Sequence, residues 1–465
     1  MNKKILAAMF AAISCASYAD VTLYGRVSAA LENDTFPSAN QVEPGGTSVQ
    51  DYGSYFGIRG TDNVYGQTAA IWQVEQFLNI TTGEAYQNTT GSNWVPNHPG
   101  STINGQPTSG VNVLASSDSY IGLQGGWGRV RIGNLSNTFR TNTGAVDIYN
   151  GANANVFGTY DRMLAVLPNN IKYDSPAWND FSFTAYYSFN LDGNFNTGGA
   201  NGNGIDGNGD MNGANNAGIY GFGLFYTPGN YSITWNNQIY QNTGIYQTMG
   251  GSQPGGIGTN ASNTGFLYTA QQGINAYVSR LELQYADPDS WFLGVGGQIT
   301  QGLGYFSVPG NGNMNNYWIQ NPSANGVNSQ YINSANCANG YCPLNQAVLS
   351  TAEAGISFGW HLDNWTPKIG YVYGSNVMAG GSPWDIISGN NQIGGTGYQQ
   401  AIAELDWNIT PRTIAFVNYG QIWWGNTAQN TIMQPGTAPS SNAIAQSGSK
   451  WINNGTAAVG FSHTF

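Results

Sequence analysis

Past residue 19 the chain nowhere gathers the run of about 18 apolar residues that a membrane-crossing helix needs. Instead it alternates apolar and polar side chains, segment after segment. Trp127–Asn134 is the cleanest case: Gly128, Val130 and Ile132 fall on one side, Arg129, Arg131 and Gly133 on the other. Period two marks a strand with two unlike faces. About sixteen such stretches can be marked, separated by connections that are alternately short and long. A chain of strands can cross a bilayer only if its sheet closes, because closure satisfies every backbone donor and acceptor without water. The expected fold is all-β: a 16-stranded antiparallel transmembrane β-barrel, with tight turns on one rim, long loops on the other, and the third long loop folded inward.

Composition agrees. Charged residues are 8% of the chain, against roughly a quarter in ordinary soluble domains, while aromatics reach 13% and glycine 65 residues. Lys3 and Lys4, an apolar stretch Ile5–Ile13 and Ser17-Tyr18-Ala19 read as a secretory signal over 1–19, leaving 20–465 as the barrel. A lipoprotein signal at Cys15 is the rival reading, disfavoured by Ala12 where a bulky aliphatic is wanted. Without Lys3 and Lys4 the 13 basic residues fall to 11 against 24 acidic ones, a net of −13. That balance argues against nucleic acid as a partner.

The first strand is expected over Val21–Leu31, with Val21, Leu23, Val27 and Ala29 facing one way and Thr22, Tyr24, Arg26 and Ser28 the other. Gly53–Thr61 and Gln67–Ile80 follow, joined at Asp62-Asn63. Asn112–Gln124 pairs with Trp127–Asn134 over Gly125-Gly126. The inward connection then runs from Leu135 to about Val166 and carries Arg140, Asp147, Asp161 and Arg162.

Several stretches, in this order and spacing, resemble the general Gram-negative porins of the neisserial and betaproteobacterial type. They are Val21-Thr22-Leu23-Tyr24-Gly25-Arg26, Ser54-Tyr55-Phe56-Gly57-Ile58-Arg59-Gly60, Tyr120-Ile121-Gly122-Leu123, Asn170-Ile171-Lys172-Tyr173-Asp174-Ser175-Pro176, and the terminal Gly460-Phe461-Ser462-His463-Thr464-Phe465. The resemblance covers nearly all of 20–465. It implies a homotrimer in the cell outer membrane of a Gram-negative bacterium, each barrel in contact with lipid and holding a water-filled pore for passive diffusion of ions and small hydrophilic solutes, with no cofactor. It also implies that the third loop (about 135–166) narrows the pore, and that the second, about 81–110, reaches over a neighbouring subunit. Terminal Phe465 matches the aromatic read by the barrel-assembly machinery.

Carried over residue by residue, Arg26 matches the basic residue of the first strand and Arg162 a further wall arginine, with Asp147 and Asp161 as the loop acids. Tyr55 and Ser117 stand where wall arginines are common, and Ser462 and Thr464 replace basic residues. Arg59, Arg129, Arg131 and Arg280 fall on expected lumen faces, as do Glu75, Glu282, Glu404 and Asp406 with the opposite sign. The expected constriction is therefore Arg26, Arg129, Arg131 and Arg162, with Tyr55 and Arg59, facing Asp147 and Asp161. The net charge and the thinned arginines lean the pore towards cations.

Other motifs have plainer readings. Gly355-Ile356-Ser357-Phe358-Gly359, with His361 nearby, fits G-x-S-x-G, but a nucleophile elbow needs a strand-to-helix turn and this one lies within an alternating strand. Cys337 and Cys342 are expected to form a disulfide in an exported chain rather than a metal site. Asp206-Gly207-Asn208-Gly209-Asp210, within the loop 191–216, lacks the Gly and Glu that a calcium loop requires. His98, His361 and His463 are scattered, and no metal site is expected. Trp360, Trp407, Trp423 and Phe465 fit lipid-facing girdles, with an aromatic sugar path as the alternative. The rivals to a general diffusion channel are a substrate-selective porin for sugars or small anions, a barrel enzyme and a surface adhesin.

Overall fold

The computed structural model describes residues 20–34, 46–81, 115, 117–141, 145–150, 166–189, 218–241, 245–248, 267–270, 275–301, 317–320, 341–343, 349–379, 392, 394–425, 431–433 and 454–465. Sixteen strands form its wall: β1 Thr22–Asp34, β2 Tyr55–Tyr65, β3 Thr68–Phe77, β4 Ser119–Gly125, β5 Gly128–Ser136, β6 Val166–Asp174, β7 Phe181–Ser188, β8 Ile219–Tyr226, β9 Tyr231–Tyr240, β10 Ala276–Ala286, β11 Trp291–Gln301, β12 Leu349–Trp360, β13 Trp365–Gly374, β14 Tyr398–Thr410, β15 Thr413–Trp424 and β16 Asn454–Thr464. Each pairs antiparallel with the next. The last returns to the first, from Arg26↔Thr464 to Asp34↔Thr456. Gly25 and Phe465 add two backbone hydrogen bonds at the seam, 3.2 and 3.1 Å. The ring has no free edge, so no row of backbone groups is left to lipid.

Alternation decides the faces. On β1, Leu23, Val27 and Leu31 are exposed on the outside, while Ser28 and Ala30 are buried and Tyr24 and Arg26 half-buried within. The register carries this parity round the barrel: Tyr24 lies opposite Gly57, Gly57 opposite Glu75, and Gly122 opposite Arg131. The outer face is apolar, and aromatics stand out from it, with Trp365 and Trp407 stacked 5.6 Å apart and Trp360, Trp423 and Phe465 also exposed. Such a surface is at home in hydrocarbon flanked by aromatic girdles.

Seven of the connections are short and alternate with long ones. The first short turn falls at Gly66-Gln67, not at the expected Asp62-Asn63. Gly66 adopts φ +56°, open to glycine at no steric cost, whereas Asp62 and Asn63 stay in the ladder opposite Ala70 and Ala69. A register shift between Asn63 and Tyr65 absorbs the extra length. Likewise β4 starts at Ser119 rather than Asn112. Some pairing lies beyond the sixteen strands. Thr47–Asp51 pairs with the upper part of β1 and Met378–Ala379 with β12. Ile245–Thr248 pairs with Leu267–Ala270. Tyr317–Gln320 pairs with Tyr341–Pro343 on one side and with Thr431–Met433 on the other. Among the described residues no helix is long and apolar enough to cross a membrane, and the one-turn helix Thr138–Thr141 stands just after β5.

Candidate pore lumen and constriction

The inward face of β1–β3 carries a network of charged and phenolic groups. Arg26 donates to the carbonyls of Tyr52 (2.6 Å) and Gly53 (3.2 Å), so its guanidinium holds the connection entering β2 as well as facing the lumen. Asp51 braces the same corner by accepting from the backbone of Gly53 and Ser54, 2.9 Å each. Tyr55 lies directly opposite Arg26. The Arg59 guanidinium lies over the Tyr24 ring, 5.0 Å from its centre, and the Tyr24 hydroxyl donates to Glu75 at 2.8 Å. Ser117, found where an arginine was expected, also donates to Glu75.

On β5 and β6 the alternation read from sequence puts Arg129 and Arg131 inside, and the register adds Lys172 and Asp174 beside them. Asp174 accepts from both arginines, at 3.0 and 2.7 Å, and from Thr184 at 2.8 Å. Arg129 is one residue from the tight turn before β5 and so stands at the short-turn rim. Arg131 is deeper and stacks on Tyr120 at 5.1 Å. Lys172 is buried and donates to the Ser136 carbonyl at 3.1 Å. Sequence alone does not single out Lys172 or Asp174: alternation gives them a shared face, but only the pairing with Arg131 and Arg129 shows that the face is the inner one.

After β5, residues 137–139 and 145–150 lie against the inward face of the far wall. Asn137 donates to Gln238 of β9 at 2.9 Å, and Phe139 lies under Arg280 of β10, its carbonyl accepting at 3.4 Å. The backbone of Ala145 passes over β11 and β12: a Cβ built on Gly294 would come within 1.5 Å of the Ala145 oxygen, and Ser357 donates to that same oxygen at 2.6 Å. Tyr149 covers Gly370 of β13, where an added Cβ would meet its hydroxyl at 2.1 Å. Burial, reinforced by the charges of Asp147 and Glu404, holds the Tyr149 hydroxyl well above the usual phenol range, so it stays neutral. Asn150 reaches Glu404 of β14 through both its backbone N–H (3.0 Å) and its side-chain amide (3.2 Å). Four neighbouring strands spread over about 14 Å, and a hexapeptide spans at most about 20 Å. Residues 145–150 therefore run across β11–β14 rather than along them.

Behind this segment the wall is polar and closely paired. Arg280 donates to Gln298 at 2.8 and 3.0 Å, and Gln298 to Glu353 at 2.7 Å. Lys368 bridges Glu404 (2.9 Å) and Asp406 (2.6 Å), with both carboxylates buried. Glu75, Arg280, Glu282, Glu404 and Asp406 all lie on the inward face, as their parity in the sequence implied. Asp147 is half-buried and close enough to Glu282 for its charge to act there. Ser357, the centre of the G-x-S-x-G pattern, lies within β12 and holds the loop. Among the described residues no group of three or more His, Cys, Asp and Glu could hold a metal. Asp161, Arg162, Cys337, the signal over 1–19, the second loop beyond Thr81 and the loop 191–216 lie outside the described residues. The backbone of Cys342 pairs with Ile319.

The Gram-negative porin family matches this chain over residues 6–422. The major outer membrane protein P.IA of Neisseria meningitidis serogroup C is 23% identical over 444 residues, covering 90% of this chain and 93% of that protein. Among solved structures, the anion-selective porin from Comamonas acidovorans superposes with a TM-score of 0.54 at 14% identity, covering 96% of this chain and all of that one. The trimer form of OmpT, an outer membrane protein of Vibrio cholerae, gives 0.50 at 12% identity over 97% of this chain and 100% of that one. A closed 16-stranded wall, a polar lumen and a match over most of the chain agree: the protein belongs to the Gram-negative porin family and forms an outer-membrane channel for passive diffusion.

Proposed function

We propose that solutes pass, without chemical change, between residues 137–139 and 145–150 on one side and the facing wall of β1–β5 on the other, and that this gap is the narrowest part of the path. The seating of residues 145–150 across β11–β14 carries the reading. It puts a second layer of backbone on one side of the lumen and leaves Arg26, Tyr55 and Arg59 on the other. Opposed charges across such a gap order water and favour dipolar or charged solutes. Each pair contributes modestly, because the gap is wet. Arg26, Arg59, Arg129 and Arg131 supply the basic side, and Arg162 joins them; Asp147 and Asp161 supply the acidic side. Asp174 offsets part of the charge of Arg129 and Arg131, which adds to the cationic lean given by the net charge of the chain.

The barrel is not an enzyme on this reading, since the Ser357 hydroxyl is spent on the Ala145 carbonyl. Three barrels associate through their apolar outer faces, as the family resemblance and the trimeric OmpT relative support. Cys337 and Cys342 close a small disulfide ring within the long connection before β12.

Planar-bilayer recordings on refolded protein test the whole: unit conductance steps in multiples of three are expected, and a sealed membrane would end the proposal. Liposome swelling should follow solute size alone; a steep preference among sugars of equal size would point to a selective channel instead. Arg131→Glu should move the reversal potential towards cations, and an unchanged potential would remove Arg131 from the field.

A further inference from the structure

We propose that Glu404 is a positioning residue of the constriction: its carboxylate, fixed to the wall by Lys368, grips Asn150 and thereby sets how far residues 145–150 stand off β14. The inference rests on the reading that this segment narrows the lumen. Glu404 is buried, and its two oxygens accept from four sources: Lys368 at 2.9 Å, the Asn150 backbone at 3.0 and 3.4 Å, the Asn150 side chain at 3.2 Å and Asn418 at 3.3 Å. A carboxylate so engaged has little left to offer a passing ion. Its charge is instead used locally, where it strengthens the bonds that it accepts.

The contacts at Ala145 and Tyr149 are of a different kind. Ala145 and Tyr149 settle where Gly294 and Gly370 leave room, which allows the segment to approach but does not pull it in. Ser357 holds Ala145 through one neutral hydrogen bond. Asn150 is held by an ion, through backbone and side chain together. The groups facing Glu404 are Lys368 on β13, Asp406 on its own strand, Asn418 on β15, and Tyr149 and Asn150 from the loop, with the charge of Asp147 close by.

Substitution separates grip from charge. Glu404→Ala removes every acceptor, yet Lys368 keeps Asp406 at 2.6 Å, so no lone buried cation results. Glu404→Gln removes the charge but keeps one oxygen. Asn418 can turn its amide so that Oδ1, which has no hydrogen-bond partner, takes the new NH2. Asn150→Pro removes both loop donors and alters no charge. Refolded variants would be checked for heat-modifiable trimers on gels, then assayed by liposome swelling and by reversal potential. Glu404→Ala and Asn150→Pro should both admit a disaccharide several-fold faster relative to a monosaccharide, with reversal potentials near wild type. Glu404→Gln should recover most of the size limit. If Gln and Ala behave alike, shifting the reversal potential and leaving the size limit intact, Glu404 acts as a field charge and the proposal falls. It also falls if Asn150→Pro leaves the size limit unchanged, a result that stands even if Glu404→Ala does not fold. A wild-type protein without conductance would instead overturn the channel reading itself.

Discussion

Gly294 and Gly370 are the residues whose role is least visible until the loop is in place. A methyl group on Gly294 would lie 1.5 Å from the Ala145 oxygen, which no side-chain adjustment can relieve because the obstacle is backbone. Gly294→Ala should therefore unseat the segment, at a cost of about 1–3 kcal/mol to its packing. Conductance should rise, and protease should cut between 137 and 165 faster than in the wild type. At Gly370 the obstacle is a phenolic hydroxyl at 2.1 Å, so the outcome differs. Gly370→Ala should be harmful alone and milder when combined with Tyr149→Phe, which removes the offending oxygen; purely additive thermal shifts would refute that coupling. Neither glycine was legible as special, since 65 glycines are spread through the chain and nothing local marks the two that a remote segment covers. Arg26, Arg59, Arg129 and Arg131 were placed on the correct face, because parity is local. Their bonds to the Tyr52 and Gly53 carbonyls and to Asp174 were not foreseen, because those depend on which strand lies alongside.

Strands were the most readable level. β5 was expected from Trp127 and begins at Gly128, and Leu23, Val27 and Leu31 of β1 point outward as their spacing demands. The miss at Gly66 shows what alternation cannot supply. Asp62-Asn63 has turn-forming chemistry, but the ladder continues through it to the residue that can take a positive φ. The seam between β1 and β16 gives a prediction at this level. Removing Phe465 deletes two backbone hydrogen bonds to Gly25, each worth about 0.5–1.5 kcal/mol. That is small beside the nine residue pairs that β1 and β16 retain. The melting temperature of the assembled barrel should barely move. A large drop in melting temperature would mean that Phe465 is structural in its own right.

For the molecule as a whole, closure of the ring was inferable because a strand-only chain with an apolar alternate face has no other way to live in lipid. The shape of the lumen was not, since it depends on where one long connection comes to rest on strands more than a hundred residues away. At the long-loop rim, Tyr317–Gln320 is shared between Tyr341–Pro343 of its own connection and Thr431–Met433 of another. Those two excursions are thus not free to drift apart in sequence: trading one of them for a relative's version would strip the other of its neighbour, so any surface remodelling here must be carried out in tandem.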